Sequence, residues 1–162
     1  MAEKKLIKLT VNGAEREVLV KPNWSLYYLL KRQLGLTGVK QSCDGIGECG
    51  YCTVIMDGKA VYSCLVLAIE CEGKNITTIE GLLSGGNLHP IQKAFLEYGA
   101  FQCGHCTPAM VLAAKALLDN NPIPNEEETK EAISGIICRC TGYYKFVEAI
   151  ISLSKEGQHN EK

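Results

Sequence analysis

The stretch 43-CDGIGECGYCTV-54 places three cysteines and three glycines within ten residues, from Cys43 to Cys52. Five residues separate Cys43 from Cys49, and two residues separate Cys49 from Cys52. Cysteines at such short spacings typically hold a metal ion or cluster when they are not paired in disulfides. Glycine allows the loop to turn tightly, because it adopts positive φ at little cost. The loop therefore predicts a metal site, and the remaining cysteines decide which kind.

The chain has 162 residues, a formal net charge of −1 and nine cysteines. The N-terminus has no secretory signal pattern, and no apolar run approaches the roughly 20 residues that a transmembrane helix requires. We therefore expect a cytoplasmic protein that binds neither nucleic acid nor membranes. Disulfide frameworks are rare in that reducing compartment, so the cysteine count favours metal or cluster ligation.

The N-terminal half has the pattern of a small β-rich domain. Residues 5–11 and 15–20 alternate apolar and polar side chains around Asn12-Gly13, a strong type I′ hairpin signal. A helix is predicted over 25–35, a second hairpin over 53–63 with Asp57-Gly58 at its tip, and a short strand over 76–79. Strands wrapped on one helix predict a β-grasp-like domain over residues 1–82.

The C-terminal half has the pattern of a helical domain over residues 89–162, after a linker over 83–88 that contains two consecutive glycines. Four helices are predicted, over 90–99, 107–121, 126–135 and 143–155. Pro90 suits a first helical turn, Thr107 is predicted as an N-cap, and Asn125 with Glu128 predicts a capping box. The predicted fold class is therefore α+β, with a β-grasp domain followed by a four-helix bundle.

The cysteines divide into one set of four in each half, with Cys71 left over. The first set is Cys43, Cys49, Cys52 and Cys64, and the second set is Cys103, Cys106, Cys138 and Cys140. Two sets of four thiolates fit either two structural zinc sites or two iron–sulfur clusters. A zinc-stabilised interaction module is therefore one reading of the chain.

Spacing favours iron–sulfur clusters over zinc. Zinc sites with four thiolates prefer two C-x2–4-C pairs, and the second set has only one such pair because Cys138-Arg139-Cys140 is too tight. The first set has three close cysteines and one distant cysteine, which is the layout of plant-type [2Fe–2S] ferredoxins. Gly45, Gly47 and Gly50 would let backbone N–H groups point at a negatively charged cluster.

Three blocks resemble one family over nearly the whole chain. They are CDGIGECGYCTV, 102-QCGHCTPAM-110 and 138-CRCTGY-143. The family is that of the small iron–sulfur subunits of molybdenum hydroxylases, which include xanthine dehydrogenase, nicotinate dehydrogenase, aldehyde and carbon monoxide dehydrogenases and 4-hydroxybenzoyl-CoA reductase. The resemblance implies an N-terminal plant-type ferredoxin-like domain and a C-terminal four-helix [2Fe–2S]-binding bundle.

The resemblance also implies the ligands of two [2Fe–2S] clusters. The cluster near FAD would be bound by Cys43, Cys49, Cys52 and Cys64, and the cluster near molybdopterin by Cys103, Cys106, Cys138 and Cys140. Gln102 resembles a family residue that hydrogen-bonds the pterin, and Cys140 matches the ligand closest to it. Both of these contacts would cross a subunit boundary.

The resemblance implies an electron-transfer subunit that relays single electrons between molybdopterin on a large subunit and FAD on a medium subunit. The assembly would be a heterotrimer or its dimer, and we expect no substrate turnover from the isolated chain. A stand-alone two-cluster ferredoxin is the main alternative, although such a carrier has no need for Gln102 beside Cys103.

Two positions depart from the family pattern. The gap between Cys43 and Cys49 is one residue longer than usual, so Ile46 is expected to bulge between Gly45 and Gly47. Ala109 replaces the usual glycine after Cys-Thr-Pro. Among the other candidates, Cys71 is predicted to be a small buried apolar residue, and His105 to face solvent or an interface. Arg139 could offset cluster charge, contact a partner or be an ordinary surface residue.

Overall fold

Two tight turns organise the N-terminal half in the computed structural model, which describes residues 3–83 and 85–159. Strands β1 (Lys5–Val11) and β2 (Ala14–Val20) pair around Asn12-Gly13, and strands β3 (Thr53–Met56) and β4 (Lys59–Tyr62) pair around Asp57-Gly58. All four turn residues have positive φ, as a type I′ turn requires. Both predicted hairpins are therefore confirmed.

Strand β5 (Asn75–Thr77) completes a five-stranded sheet of order β2-β1-β5-β3-β4. It pairs parallel with β1 and antiparallel with β3. Helix α1 (Leu26–Tyr28) begins after the Ser25 cap and continues into a wider π-helical segment, Leu29–Gln33. Short 3-10 helices lie at Ala68–Cys71 and Ile79–Leu82. A mixed sheet packed on one helical segment confirms the predicted β-grasp arrangement.

Four helices form the C-terminal half: α2 (Pro90–Glu97), α3 (Thr107–Asn120), α4 (Glu126–Ser134) and α5 (Tyr144–His159). The predicted first-turn proline of α2 and the Asn125–Glu128 capping box of α4 are both confirmed. A second capping box, formed by His89 and Gln92 at the start of α2, was not predicted. The α+β fold class is therefore confirmed.

The predicted N-cap role of Thr107 is wrong. Cys106 already has helical dihedral angles, with φ −79° and ψ −17°, so Thr107 is the first residue inside α3. From that position its hydroxyl does not cap the helix, and Oγ1 is buried without a hydrogen-bond partner among the described residues. Ala109, in the same helical turn, is buried in the helical core, where its methyl group is accommodated.

The buried apolar residues form two clusters, one under the sheet and one among the helices. Ile55 of β3 and Leu82 belong to the helical cluster, so the two halves share apolar packing. Ser84, inside the predicted linker, lies outside the described residues, as do residues 1–2 and 160–162. Within the described part of the chain, no helix is long and apolar enough to cross a membrane.

Candidate metal centres

The first cysteine set lies where the loop after the helical segment meets the 53–62 hairpin. The sulfur atoms of Cys43 and Cys49 are 3.4 Å apart. Cys64 follows the end of β4, and its thiol is in hydrogen-bond contact with that of Cys52. The Ser63 hydroxyl donates to the Cys52 carbonyl at 2.7 Å, which ties the distant cysteine segment to the loop. All four predicted ligands of the first set are thus brought together.

The glycines of this loop have the backbone conformation that their sequence pattern predicts. Gly45, Gly47 and Gly50 have φ of 89°, 83° and 71°. Ile46 lies between the first two and is 66% exposed, so the extra residue of the loop turns outward as predicted. The additional length is therefore accommodated at the surface, and the thiols still converge.

Backbone N–H groups of the loop point at one of its thiols. The N–H of Cys49 is the main cause that lowers the pKa of the Cys43 thiol, to about 6, and the N–H groups of Glu48 and Gly45 act in the same direction. Donors arranged in this way stabilise negative charge on sulfur. Burial and the neighbouring Cys52 thiol instead raise the pKa of Cys64 to about 12.

The second cysteine set joins two loops at helix ends. Cys103 and Cys106 precede α3, whereas Cys138 and Cys140 lie between α4 and α5. The sulfur atoms of Cys103 and Cys140 are 3.6 Å apart, and the Cys106 and Cys138 thiols are in hydrogen-bond contact. Cys106 is buried, while Cys103 and Cys140 are exposed. The set therefore has one edge inside the protein and one edge at its surface.

Burial is the main cause that raises the pKa of the Cys106 thiol, to about 12, and the adjacent Cys138 adds to the effect. Burial also acts to raise the pKa of Cys138, but hydrogen bonds outweigh it and the net shift is downward. The largest of these contributions comes from the Thr141 hydroxyl, which lies 3.1 Å from the Cys138 sulfur. Thiols with a pKa near that of Cys106 become thiolates when a metal binds them.

In each set the sulfur atoms lie in two close pairs. This pairing distinguishes a two-iron cluster from a single zinc ion. The pairs are Cys43 with Cys49, Cys52 with Cys64, Cys103 with Cys140, and Cys106 with Cys138. A two-iron cluster takes two thiolates on each iron, whereas zinc takes four around one point. The donor sets therefore fit [2Fe–2S] clusters.

The two sites contact each other through pairs of residues that the sequence did not predict to meet. The Ile137 N–H donates to the Cys49 carbonyl at 3.1 Å, and the Lys40 ammonium donates to the Gly104 carbonyl at 3.5 Å. Ser42 Oγ lies 3.2 Å from His105 Nε2. These partners are far apart in sequence, and no local pattern marks them.

The structure also shows the surroundings of the other residues that the sequence singled out. Cys71 is fully buried, as predicted, and burial raises the pKa of its thiol to about 11. His105 is exposed, as predicted, and its ring is perpendicular to that of Tyr51, with ring centroids 4.7 Å apart. Gln102 and Arg139 are both exposed, each beside a cysteine of the second set.

Comparison with known protein families agrees with two cluster-binding units. Residues 9–78 match the family described as "2Fe-2S iron-sulfur cluster binding domain", and residues 78–151 match the "[2Fe-2S] binding domain" family. The nicotinate dehydrogenase small FeS subunit of Eubacterium barkeri is 49% identical, over 89% of this chain and 91% of its own length. The chain belongs to the small iron–sulfur subunits of the molybdenum hydroxylases.

Solved structures of related enzymes have the same fold as this small iron–sulfur subunit. Quinoline 2-oxidoreductase from Pseudomonas putida 86 matches with a TM-score of 0.90 and 39% identity, over 99% of this chain and 100% of the matched chain. The aldehyde oxidoreductase from Desulfovibrio desulfuricans ATCC 27774 matches with a TM-score of 0.90 and 42% identity. There the match covers 96% of this chain but 17% of the other, so the same unit is part of a longer chain.

These matches establish the class of the protein. It carries two [2Fe–2S]-binding domains and is an electron-transfer subunit of an oxidoreductase. Its relatives include proteins named as small subunits, such as that of the nicotinate dehydrogenase of Eubacterium barkeri.

Proposed function

We propose that each cysteine set ligates one [2Fe–2S] cluster. The ligands of the first cluster are Cys43, Cys49, Cys52 and Cys64, and those of the second are Cys103, Cys106, Cys138 and Cys140. Four close sulfur pairs support this assignment, because each pair fits the two thiolates that one iron requires. Iron binding would deprotonate the thiols whose pKa is raised by burial.

When bound, each cluster accepts and releases one electron at a time, and two in series carry electrons between a molybdopterin centre and FAD. The chain holds the thiolates at fixed positions and supplies N–H and O–H donors to their sulfur atoms. Cys49, Cys52 and Cys106 are buried, which keeps water from the inner ligands. Burial and hydrogen bonding to sulfur are the means by which a protein tunes the potential of such a cluster.

The observation that carries the proposed electron transfer between the two clusters is the direct contact between the two cysteine loops. The hydrogen bond from Ile137 to the Cys49 carbonyl joins a residue beside Cys138 to a ligand of the first set. Two centres held by touching loops suit electron transfer between them. A module stabilised by two separate zinc ions has no need for such proximity.

We further propose that the two exposed edges face different partners. The large molybdopterin-binding subunit covers the edge formed by Cys103 and Cys140, with Gln102 contacting the pterin. The medium FAD-binding subunit covers the first loop, where Ile46 is exposed. The complex is a heterotrimer or its dimer, as the family resemblance implies.

We propose domain boundaries at 1–82 and 89–162, with a linker over 83–88. The two apolar clusters support a division into two units. Leu82, the last residue of the first unit, packs against the helical cluster and holds the units together.

Anaerobic purification of the chain from its native host tests these assignments. We expect iron, acid-labile sulfide and two distinct [2Fe–2S] EPR signals after reduction, together with co-purifying molybdenum- and FAD-containing subunits. Cys49→Ser should remove one signal and Cys106→Ser the other, while Cys71→Ser should leave both. The assembled complex is then assayed with purines, N-heterocycles, aldehydes and aryl-CoA thioesters as candidate substrates.

Each alternative gives a different result. A colourless protein that contains zinc and lacks iron and sulfide would be an interaction module. A protein with both clusters that purifies alone, without molybdenum or flavin, would be a ferredoxin carrier.

A further inference from the structure

A second hydrogen bond crosses between the two halves beside the contact of Ile137 with Cys49. The hydroxyl of Tyr62, at the end of β4, donates to the carbonyl of Gly135, just after α4, at 2.5 Å. Gly135 lies three residues before Cys138, and Tyr62 lies two residues before Cys64. We call the group of Cys49, Gly50, Tyr62, Gly135 and Ile137 the seam.

Neither glycine of the seam has room for a side chain, Gly50 because of the facing backbone and Gly135 because of the Tyr62 side chain. A methyl group at Gly50 would overlap the carbonyl oxygen of Gly135 and lie 2.8 Å from Cα of Ile136. A methyl group at Gly135 would overlap the Tyr62 hydroxyl, while the next nearest atom, Cζ of Tyr62, would be 3.2 Å away. Gly135 has φ −77°, which any residue adopts. A larger residue is therefore unfavourable at this position only because of the contact with the Tyr62 hydroxyl.

Both sides of the seam are anchored in rigid structure. Tyr62 pairs with Thr53 in the 53–62 hairpin, and the next residue, Ser63, is buried and bonds the Cys52 carbonyl. On the other side, Ile133 and Ile136 flank Gly135 and are almost fully buried. A displacement at Tyr62 and Gly135 is therefore transmitted to Cys64 and Cys138 rather than absorbed locally.

We propose that Tyr62 is a positioning residue that sets the spacing between the two clusters. This inference rests on the proposed function, since it requires both cysteine sets to be loaded. Binding sites need their ligating groups held within about 0.5 Å of the working geometry. Tyr62 meets this need because its hydroxyl connects the end of β4, two residues before Cys64, with the turn that leads to Cys138.

The first test compares Tyr62→Phe with Tyr28→Phe, a tyrosine in the same half whose ring packs on Trp24. In anaerobically reduced protein with full iron content, the magnetic interaction between the two clusters is measured by EPR. We expect Tyr62→Phe to reduce or broaden the splitting while both signals remain, and Tyr28→Phe to leave it unchanged. Deuterium exchange at the Ile137 amide should rise in Tyr62→Phe alone.

The second test is a double-mutant cycle with Gly135→Ala. Its methyl group would collide with the Tyr62 hydroxyl, so it should lower the thermal midpoint by several degrees when Tyr62 is present. In the Tyr62→Phe background the colliding atom is gone, and the same substitution should cost much less. Additive effects of the two substitutions would contradict the contact.

The proposal is overturned if Tyr62→Phe keeps the wild-type splitting and the wild-type exchange at Ile137. That result is distinct from failure of the proposed function, which would appear in the unmutated protein as the absence of one or both cluster signals.

Discussion

The backbone N–H of Ile137 donates to the backbone carbonyl of Cys49 across 3.1 Å. Ile137 belongs to the turn before the last cysteine pair, and Cys49 belongs to the first cysteine loop. The bond therefore joins the two metal-binding regions directly through main-chain atoms. Gly50, the next residue, packs against Gly135 on the same turn. These contacts hold the two loops against each other, so that they form a single structural unit.

We predict that Gly50→Ala destabilises the protein more than Gly73→Ala. Both glycines have φ of +71°, so each substitution incurs the same backbone penalty of about 1–2 kcal/mol. The Gly73 position is open, whereas a methyl group at Gly50 would collide with the backbone of Gly135, which cannot rotate away. Thermal unfolding of the anaerobically loaded protein measures the difference. Equal midpoints for the two variants would show that the loops are able to separate.

We predict that Thr141→Val lowers the reduction potential of the second cluster. The Thr141 hydroxyl lies 3.1 Å from the Cys138 sulfur, and a donor at that sulfur favours the more negatively charged, reduced cluster. If the bond is stronger in the reduced state by about 0.5–1.5 kcal/mol, its loss corresponds to about 20–65 mV for one electron. An EPR-monitored redox titration of both signals measures the shift.

Thr141→Ser is the matched control, because it keeps the hydroxyl and should keep the potential. The first cluster should be unaffected in both variants. An equal shift of both clusters in Thr141→Val would indicate a general change in the protein rather than loss of this bond.

Local sequence patterns predicted the parts of the fold that neighbouring residues determine. Asn12-Gly13 and Asp57-Gly58 specify their turns through positive φ, and Asn125 with Glu128 specifies a helix start. The glycines around Ile46 similarly predicted that the extra loop residue turns outward. In each case the residues that form the structure are within a few positions of one another.

Features set by packing between distant segments were missed. The bond between Tyr62 and Gly135 joins residues 73 positions apart, and nothing in either segment marks it. The threonine pattern gave the correct first residue of α3 but the wrong N-cap, because the cap residue is Cys106, which already adopts helical angles. The helix over 26–33 widens into a π-helix, in which the Leu34 N–H donates to the Leu29 carbonyl five residues back. Apolar periodicity alone does not distinguish a π-helical from an α-helical segment.

We predict that Asn125→Ala destabilises the protein by about 1 kcal/mol, within a range of about 0.5–2 kcal/mol, because it removes an N-cap. The Asn125 side chain accepts from the Glu128 N–H at 2.9 Å, and the Glu128 carboxylate accepts from the Asn125 N–H at 2.8 Å. Asn125→Ser should retain most of the stability, since serine also caps. The thermal midpoint is measured together with the two EPR signals, which should be the same in all three proteins. A fall in midpoint as large for serine as for alanine would contradict a capping role.

We predict that His89 makes the protein less stable as pH falls through the unfolded-state value of its pKa, 6.5. The His89 Nδ1 atom accepts from the Ile91 N–H at 3.3 Å, which requires a neutral ring. Burial, and then the charge of Lys115, lower the pKa of His89 in the folded protein, with Asp119 opposing them. Below pH 6.5 the unfolded chain therefore binds more protons than the folded chain, so stability decreases until pH passes below the folded-state pKa.

His89→Asn isolates this effect, because asparagine caps a helix without titrating. Thermal midpoints of both loaded proteins are measured between about pH 8 and about pH 5.5, where His89 changes protonation. The midpoint of the wild type should fall more than that of the variant over this range, and the difference should appear only below about pH 7. The carboxylates and the other histidines are common to both proteins, so their contributions cancel in the comparison. Parallel curves would mean that His89 has the same pKa in the folded and unfolded chains, and that its cap does not depend on a neutral ring.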